Sequence, residues 1–258
     1  MYYPIQIPFI LNKTLLQHIQ HSEEIIESIQ NFVICYWEIQ PLSNKEIAIN
    51  DVVIIDGCID LVANYQSKQI GFVGMSKTIF SEHINFPTRF LGARLKPGAF
   101  HQLTKLHAKS AMDTFLPLEV VDSSFDTCYF WSLPHNEAKE YFRKYLQKLI
   151  GSESPNEFTA LFDVLSENMP TTVTEIYQRL FLTPRTCQRI FLKHFGITPQ
   201  KVLSVLRFQK CLDILLSNPK NSNEVLEATN YYDQPHLIKD FKRNIGITPL
   251  ELMRRYKY

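Results

Sequence analysis

The sequence predicts an α+β protein of two domains, a mostly antiparallel β barrel or sandwich followed by an all-α domain. Three observations lead to this class. Short runs of β-branched and aromatic residues, separated by turn residues, fill residues 31–121. After residue 135, apolar residues recur three and four positions apart, as on one face of a helix. A nine-residue pattern also returns 50 residues later in the second part. We therefore expect a β-rich domain over residues 1–150 and a helical domain over residues 155–258.

The composition bounds the class of protein. The 258 residues include 27 Lys and Arg against 26 Asp and Glu, and 45% are hydrophobic. This balance excludes a disordered or collagen-like chain and a uniformly basic nucleic-acid binder. Residues 155–258 hold 14 basic and 10 acidic residues, a net charge of +4, whereas residues 1–154 hold 13 and 16, a net charge of −3. The second domain is therefore basic and the first acidic, although a difference of this size also occurs on ordinary protein surfaces.

Cysteine usage and the N-terminus predict the compartment. The cysteines are odd in number and include no C-x-x-C pair, which argues against a disulfide framework or a zinc finger. Residues 1–16 lack the basic flank of a secretory signal, and no apolar run approaches the ~18 residues of a membrane span. We expect a cytoplasmic protein that does not enter a membrane.

The first domain divides into short strands and turns. Strands are expected over residues 31–39, 47–55, 59–65, 69–75 and 90–95. Asp56-Gly57 suits a tight turn between the second and third of these, and Lys96-Pro97-Gly98 fits a type II turn. Before the strands, apolar residues between Leu15 and Ile29 hint at a helix.

Helices are expected from residue 136 onward. Residues 136–149 form an amphipathic pattern, residues 151–155 are the best linker candidate, and a long helix ends at Asn218-Pro219. The helix at 136–149 either closes the first domain or pairs with its copy in a dimer. We favour closure, because Tyr141 and Tyr145 can cover the edge of a core.

An internal repeat carries the main functional signal. Phe191–Pro199 recurs as Phe241–Pro249, with Phe, Gly, Ile, Thr and Pro in register. Each copy resembles a helix closed by Gly at its C′ position, followed by Thr-Pro at the start of the next helix. Upstream of each copy lies a short helix, a turn and a second helix, over residues 173–194 and 223–244. Two helix-turn-helix units are therefore predicted.

The second helix of each unit presents a polar face. Arg, Gln and Lys on one exposed helical face are the side chains that contact base edges and phosphates in a major groove. The candidates for DNA binding are Arg185, Thr186, Gln188, Arg189 and Lys193 in the first unit, and Gln234, His236, Lys239 and Arg243 (or Lys242) in the second.

These stretches resemble the AraC family of bacterial transcription regulators over roughly residues 160–256. The best matches are Thr183–Phe191 and Asp233–Phe241, each with its Gly-Ile-Thr-Pro. The resemblance implies that Arg185, Gln188 and Arg189, and then Gln234, His236 and Lys239, contact bases. Tyr177 stands where the family usually has Ala, and Asn230-Tyr231 where it usually has Gly-Phe.

The resemblance implies a transcription regulator whose partner is double-stranded DNA. A helix over residues 200–216 would span about 25 Å. Such a spacer could hold two recognition helices about one DNA turn, roughly 34 Å, apart in successive major grooves. Homodimer formation and contact with RNA polymerase stay open.

The first domain resembles the N-terminal domain of a subgroup of AraC-type regulators, related to a cupin-like barrel. The similarity rests on Ile55–Asn64 and Gly92–Phe100. It implies a regulatory or dimerising role, and a barrel interior can hold a small-molecule effector. The candidates for lining such a site are Trp37, Phe72, Phe90, Arg94 and Phe100. Plain core packing for the aromatic rings and a structural ion pair for Arg94 are the alternatives.

Metal, cofactor and enzyme hypotheses have little support. Metal-binding cupins use a His-x-His pair, which is missing here, so neither a metal nor a cofactor is predicted. A β-barrel enzyme of small molecules with a DNA-binding appendage is the alternative function, but it needs a clustered acid–base or metal site. We therefore expect a protein that is not an enzyme. A first domain that only dimerises is a third hypothesis.

Overall fold

The computed structural model describes residues 1–6, 16–75, 80–217, 222–229 and 231–256. The first part of the chain forms strands joined by short turns, as its β-branched and aromatic runs predict. The strands are β1 Ile19–Glu24, β2 Val33–Pro41, β3 Ile47–Val53, β4 Ile59–Asn64, β5 Gln69–Gly74, β6 Phe80–Phe86, β7 Phe90–Leu95 and β8 Phe115–Pro117.

Two antiparallel sheets result from these strands. Six strands form one sheet in the order β1-β2-β7-β4-β5-β8, and β3 pairs with β6 in a second sheet. Trp37 of β2 lies opposite Gly92 of β7, and Asp60 of β4 lies opposite Arg94 of β7. In the part of the chain that is described, the large sheet does not close on itself, so the domain is sandwich-like rather than a barrel. The predicted antiparallel β-rich first domain is confirmed.

Two local predictions for the first domain are wrong. Residues 47–55 and 59–65 do not form a hairpin around Asp56-Gly57, because β3 pairs with β6 while β4 lies between β7 and β5. Gly57 has the expected positive φ of 80°, but the loop around it is buried and bonded to the N-terminus through Tyr2. The segment expected to be helical before residue 30 contains β1 and a 3-10 turn over Glu27–Ile29. Its apolar spacing suits either structure, and pairing with β2 decides it.

Helices cover one face of the large sheet. Burial alternates along β4, as expected when one face of a sheet packs against a core. The core beneath the helices includes Phe72, Phe100, Phe130 and Phe142. The helices of this domain are α1 Ala99–Thr104, α2 Leu118–Val121, α3 Thr127–Ser132 and α4 His135–Ile150. The apolar face of α4 lies in this core and therefore closes the domain.

The described residues of the second part of the chain form helices joined by short loops. Its helices are α5 Glu157–Glu167, α6 Val173–Arg179, α7 Pro184–His194, α8 Pro199–Ser217, α9 Ser222–Thr229, α10 Gln234–Ile245 and α11 Pro249–Tyr256. The 19 residues of α8 extend about 28 Å. Fully buried residues along α8, including Val202, Phe208 and Leu212, join both helix-turn-helix units in one core. The predicted long helix between two such units is present.

The two parts of the chain pack tightly against each other. The core of the helical part also contains Ile55, Cys58 and Met112 of the first part. The buried amine of Lys96 donates to Asp163 Oδ2 of α5 at 2.8 Å. Gln209, in the middle of α8, donates through Nε2 to the carbonyl of Ile55 at 2.8 Å. The first domain therefore contacts α8, the helix that carries both helix-turn-helix units. The expected domain boundary near residue 150 stays a prediction.

Candidate nucleic-acid interface

The first predicted recognition helix, α7, has a capped N-terminus and two faces of different character. The backbone N–H of Thr186 donates to Thr183 Oγ1 at 3.3 Å, and Pro184 occupies the first turn. Cys187 and Phe191 are fully buried against α8 and its neighbours. The residues predicted to contact DNA are exposed, except for the half-buried Thr186; they are Arg185, Gln188, Arg189 and Lys193. Their helical spacing places Arg185, Arg189 and Lys193 along one side.

The second predicted recognition helix, α10, is built in the same way. The backbone N–H of His236 donates to Asp233 Oδ1 at 2.8 Å, which caps the helix. Leu237 and Phe241 are buried, and the ring of Phe241 packs on Phe208 of α8 with centroids 5.0 Å apart. The predicted DNA-binding residues of this helix are all exposed; they are Gln234, His236, Lys239 and Arg243.

The repeat relates the two polar faces position by position. Lys239 and Arg243 correspond to Arg189 and Lys193, since the two helices start 50 residues apart. Ile238 corresponds to Gln188 and is 38% exposed, so an apolar side chain stands among the polar ones. Ile238 is not among the residues predicted to contact DNA, although an alignment of the two copies places it at the position of Gln188.

Buried polar contacts hold α10 against α8. Tyr231 Oη donates to Asp240 Oδ2 at 2.6 Å, and Ser204 Oγ of α8 donates to Asp240 Oδ1 at 3.4 Å. Burial and the adjacent Asp240 carboxylate raise the pKa of Tyr231 well above its ordinary value. Arg207 of α8 donates to the carbonyl of Thr171, just before α6. These contacts orient both units on α8. The departure expected at Asn230 lies outside the described residues.

The first domain touches α7 directly. The imidazole of His194, at the end of α7, stacks on Phe158 with centroids 4.0 Å apart and meets His101 of α1 at 4.5 Å. Burial, followed by the charges of neighbouring cationic groups, lowers the pKa of His194 to about 4. Burial also lowers the pKa of His101. No local pattern around either histidine predicts that the two rings meet.

The candidate effector residues of the first domain fall into separate clusters. The rings of Phe72 and Phe100 pack 5.0 Å apart in the core under the helices. Trp37 and Phe90 belong to a different apolar cluster, where the Trp37 ring covers Gly92 so closely that no Cβ would fit there. The structure therefore does not gather the predicted set in one place, and its role in ligand binding stays a prediction.

Arg94 lies in a buried network of carboxylates. Its guanidinium is 3.3 Å from Glu23 Oε1 and 3.6 Å from both Asp56 Oδ2 and Asp60 Oδ1. Burial raises the pKa of Asp60 to about 7, although Arg94 opposes that shift. Arg94 therefore forms structural ion pairs, which was the alternative to a ligand-binding role. Within the described residues, no three His, Cys, Asp or Glu side chains are grouped in a way that could hold a metal ion.

Comparison with known proteins assigns the C-terminal domain. Residues 176–255 match the model of a helix-turn-helix domain, and residues 26–117 match a domain of unknown function (DUF6597). The C-terminal part of the chain is therefore similar to the helix-turn-helix domains of transcription regulators. The chain is 25% identical over 117 residues to the HTH-type transcriptional regulator ArgR of Pseudomonas aeruginosa. That match covers 45% of this chain and 35% of the relative, so it spans about a third of the relative's length.

Matches to solved structures extend over most of the chain at low sequence identity. ToxT from Vibrio cholerae matches with a TM-score of 0.45 at 10% identity, covering 93% of this chain and 100% of that one. A ToxT structure with a bound unsaturated fatty acid matches with a TM-score of 0.41 at 10% identity, covering 84% of this chain and 93% of that one.

None of the helices in the described part of the chain has the length and apolarity needed to cross a bilayer.

Proposed function

We propose that this protein is a sequence-specific transcription regulator that inserts α7 and α10 into successive major grooves of DNA. One observation carries the proposal: two capped helices on one rigid α8 bury their apolar sides and expose Arg, Gln and Lys. In this arrangement Arg185, Gln188 and Arg189 read base edges in one groove. Lys239 and Arg243 of α10 make the equivalent contacts in the next major groove, together with Gln234 and His236.

The two helices read DNA in different ways. A bidentate Arg or Gln distinguishes guanine or adenine by hydrogen bonds, whereas an apolar side chain contacts the methyl group of thymine. Gln188 of α7 and Ile238 of α10 occupy equivalent positions. The two half-sites of the operator therefore differ in sequence, and one chain reads a direct pair rather than a palindrome.

The first domain regulates this activity. Its α1 and the 3-10 turn Ala108–Ala111 contact α7, and its loop at Ile55 bonds to Gln209 of α8. A ligand or a second copy that shifted the first domain would move these contacts and so change the position of a recognition helix. The protein works in the bacterial cytoplasm, where its DNA lies, and has no catalytic role.

Selection of bound sequences from random duplex DNA tests the function. The purified full chain is incubated with a random library, bound duplexes are amplified, and affinity for the selected site is measured with excess random DNA as competitor. We expect a bipartite site with two elements about 10 base pairs apart, bound with nanomolar affinity that falls steeply with salt. If competitor DNA displaces the protein from every selected site as easily as from random duplexes, the proposed function is wrong.

Thermal-shift screening separates an effector-binding first domain from one that only dimerises. Metabolites are added to the full chain, and its mass is measured by sedimentation in parallel. A shift in Tm with one class of metabolite supports sensing. A dimer that no metabolite stabilises supports the dimerising role.

A further inference from the structure

A segment of the first domain lies beside the C-terminal end of α7. A Cβ atom built on Gly196, just after α7, would be only 3.1 Å from the main-chain carbonyl carbon of Ala108. The ring of His107 is 6.1 Å from that of His101, which is itself 4.5 Å from His194 of α7. Residues 105–110 therefore lie beside the C-terminal end of α7.

This segment is positively charged. Lys105 and Lys109 are exposed, and residues 104–110 contain no acidic residue. Burial lowers the pKa of His101, and the charges of Lys193 and Lys105 add to this shift, because both lysines lie near the ring. The first domain and α7 therefore each contribute a lysine to the surroundings of His101. Within the described residues, no carboxylate forms an ion pair with Lys105, Lys109 or Lys193. We call the surface formed by these three lysines the basic edge.

The basic edge continues the polar side of α7. Lys193 follows Arg189 by four residues and Arg185 by eight, so the three cations run along one side of the helix toward the first domain. The 11 residues of α7 extend about 16 Å, whereas a major groove is about 12 Å wide. A helix that crosses the groove would therefore reach its rim. In that docking, the surface beside the end of α7 lies near the phosphates of the adjoining backbone.

We propose that the basic edge binds the DNA backbone beside the groove that α7 enters, so that the first domain is part of the DNA interface. The proposal rests on the proposed function of α7. Duplex DNA carries a negative charge about every 1.7 Å along its axis, and lysine is suited to meet it as a point charge. Such contacts position the protein without adding base preference. They also tie DNA binding to the placement of the first domain, which otherwise carries a net negative charge.

The test compares salt dependence in the full-length chain. The variant Lys105→Gln/Lys109→Gln removes two charges of the basic edge that belong to the first domain. The control Lys144→Gln/Lys148→Gln removes two exposed charges from α4 of the same domain. Affinity for the selected operator is measured between 50 and 200 mM salt. Thermal unfolding of all three proteins verifies that each is folded.

We expect the basic-edge variant to bind the operator about tenfold more weakly at low salt, with unchanged base preference. The plot of log K against log [salt] has a negative slope, and its magnitude should fall by about 1.8. The control should keep the slope of the unmodified chain. If the unmodified chain binds its operator and the basic-edge variant has the same slope, this proposal alone is wrong. If the unmodified chain shows no specific binding, the proposed function fails first. Equal losses in variant and control would mean a general charge effect and would also overturn the proposal.

Discussion

The imidazole rings of His101 and His194 lie 4.5 Å apart and nearly perpendicular, at 81°, across the contact between the first domain and α7. Neither sequence neighbourhood alone suggests this contact. It places two titratable groups where the first domain meets α7, the helix that we propose to enter DNA.

This contact should weaken in acid. The pKa of His194 is lowered to about 4 by burial, while an unfolded chain binds that proton near pH 6.5. Stability from this group is therefore complete above about pH 6.5 and is lost as the pH falls toward 4. Denaturant unfolding at pH 7 and pH 5 should show a larger loss for the unmodified chain than for His194→Gln. The exposed His236→Gln is the control and should behave as the unmodified chain does. Equal losses in all three would contradict the prediction.

Arg189→Ala should weaken binding to the selected operator by about 1–3 kcal/mol and relax base preference at one position. Arg189 is exposed on α7 and projects from the side opposite the buried Cys187 and Phe191. Affinity for single-base variants of the operator measures both effects. An unchanged base preference would show that Arg189 contacts only the backbone.

Ile238→Ala should lower preference for an A·T pair at one position of the second half-site by about 1 kcal/mol, because a thymine methyl group loses its apolar contact. Salt dependence should stay the same, since no charge is removed. Leu250→Ala, which truncates an exposed apolar residue of α11, is the matched control. A change in salt slope, or an equal effect of the control, would disprove the assignment of Ile238.

Gly196→Ala should destabilise the protein more than Gly246→Ala does. Both glycines follow a recognition helix with positive φ, at 73° and 77°, so both substitutions cost about 1 kcal/mol in backbone strain. At Gly196 the new methyl group would also lie 2.6 Å from Met112 Cγ of the first domain. Denaturant unfolding measures both variants. Adding Met112→Ala should recover part of the excess loss, and an absence of any excess would show that the interface yields easily.

Lys96→Met should lower the free energy of unfolding by about 2–3 kcal/mol, because Asp163 loses the cation that compensates its charge. The Lys96 side chain is only 4% exposed, and its amine lies 2.8 Å from Asp163 Oδ2. Replacing Asp163 with Asn in the same chain should restore part of the loss, since the neutral amide needs no counter-charge. Denaturant unfolding curves of the unmodified chain and the two variants measure these free energies. If Lys96→Met unfolds with the same free energy as the unmodified chain, the ion pair contributes nothing to stability.

Local patterns accounted for the helical domain. Thr183 and Asp233 cap their helices, and Gly196 and Gly246 follow them with positive φ, as their residue types predict. Helix ends depend on neighbours within a few residues, so they can be read from sequence.

Strand pairing in the first domain could not be predicted from the sequence. The runs that became β3 and β4 are equally suited to pair with each other, yet β3 pairs with β6 and β4 with β5 and β7. Alternating burial identifies a strand but not its partner. The same limit applies to the candidate ligand residues Phe72 and Trp37, which lie in different apolar clusters. The cluster that each side chain joins depends on the strands that pair around it.

Two capped helix-turn-helix units on a long spacer, with polar faces exposed, follow from residue types and spacing alone, because each depends on contacts within one or two helical turns. Tertiary packing decided the rest. It closed the first domain with α4, placed Arg94 among carboxylates, and set His101, Lys105 and Lys109 beside the end of α7. These juxtapositions join residues far apart in the chain, and only the folding of both domains onto α7 and α8 brings them together.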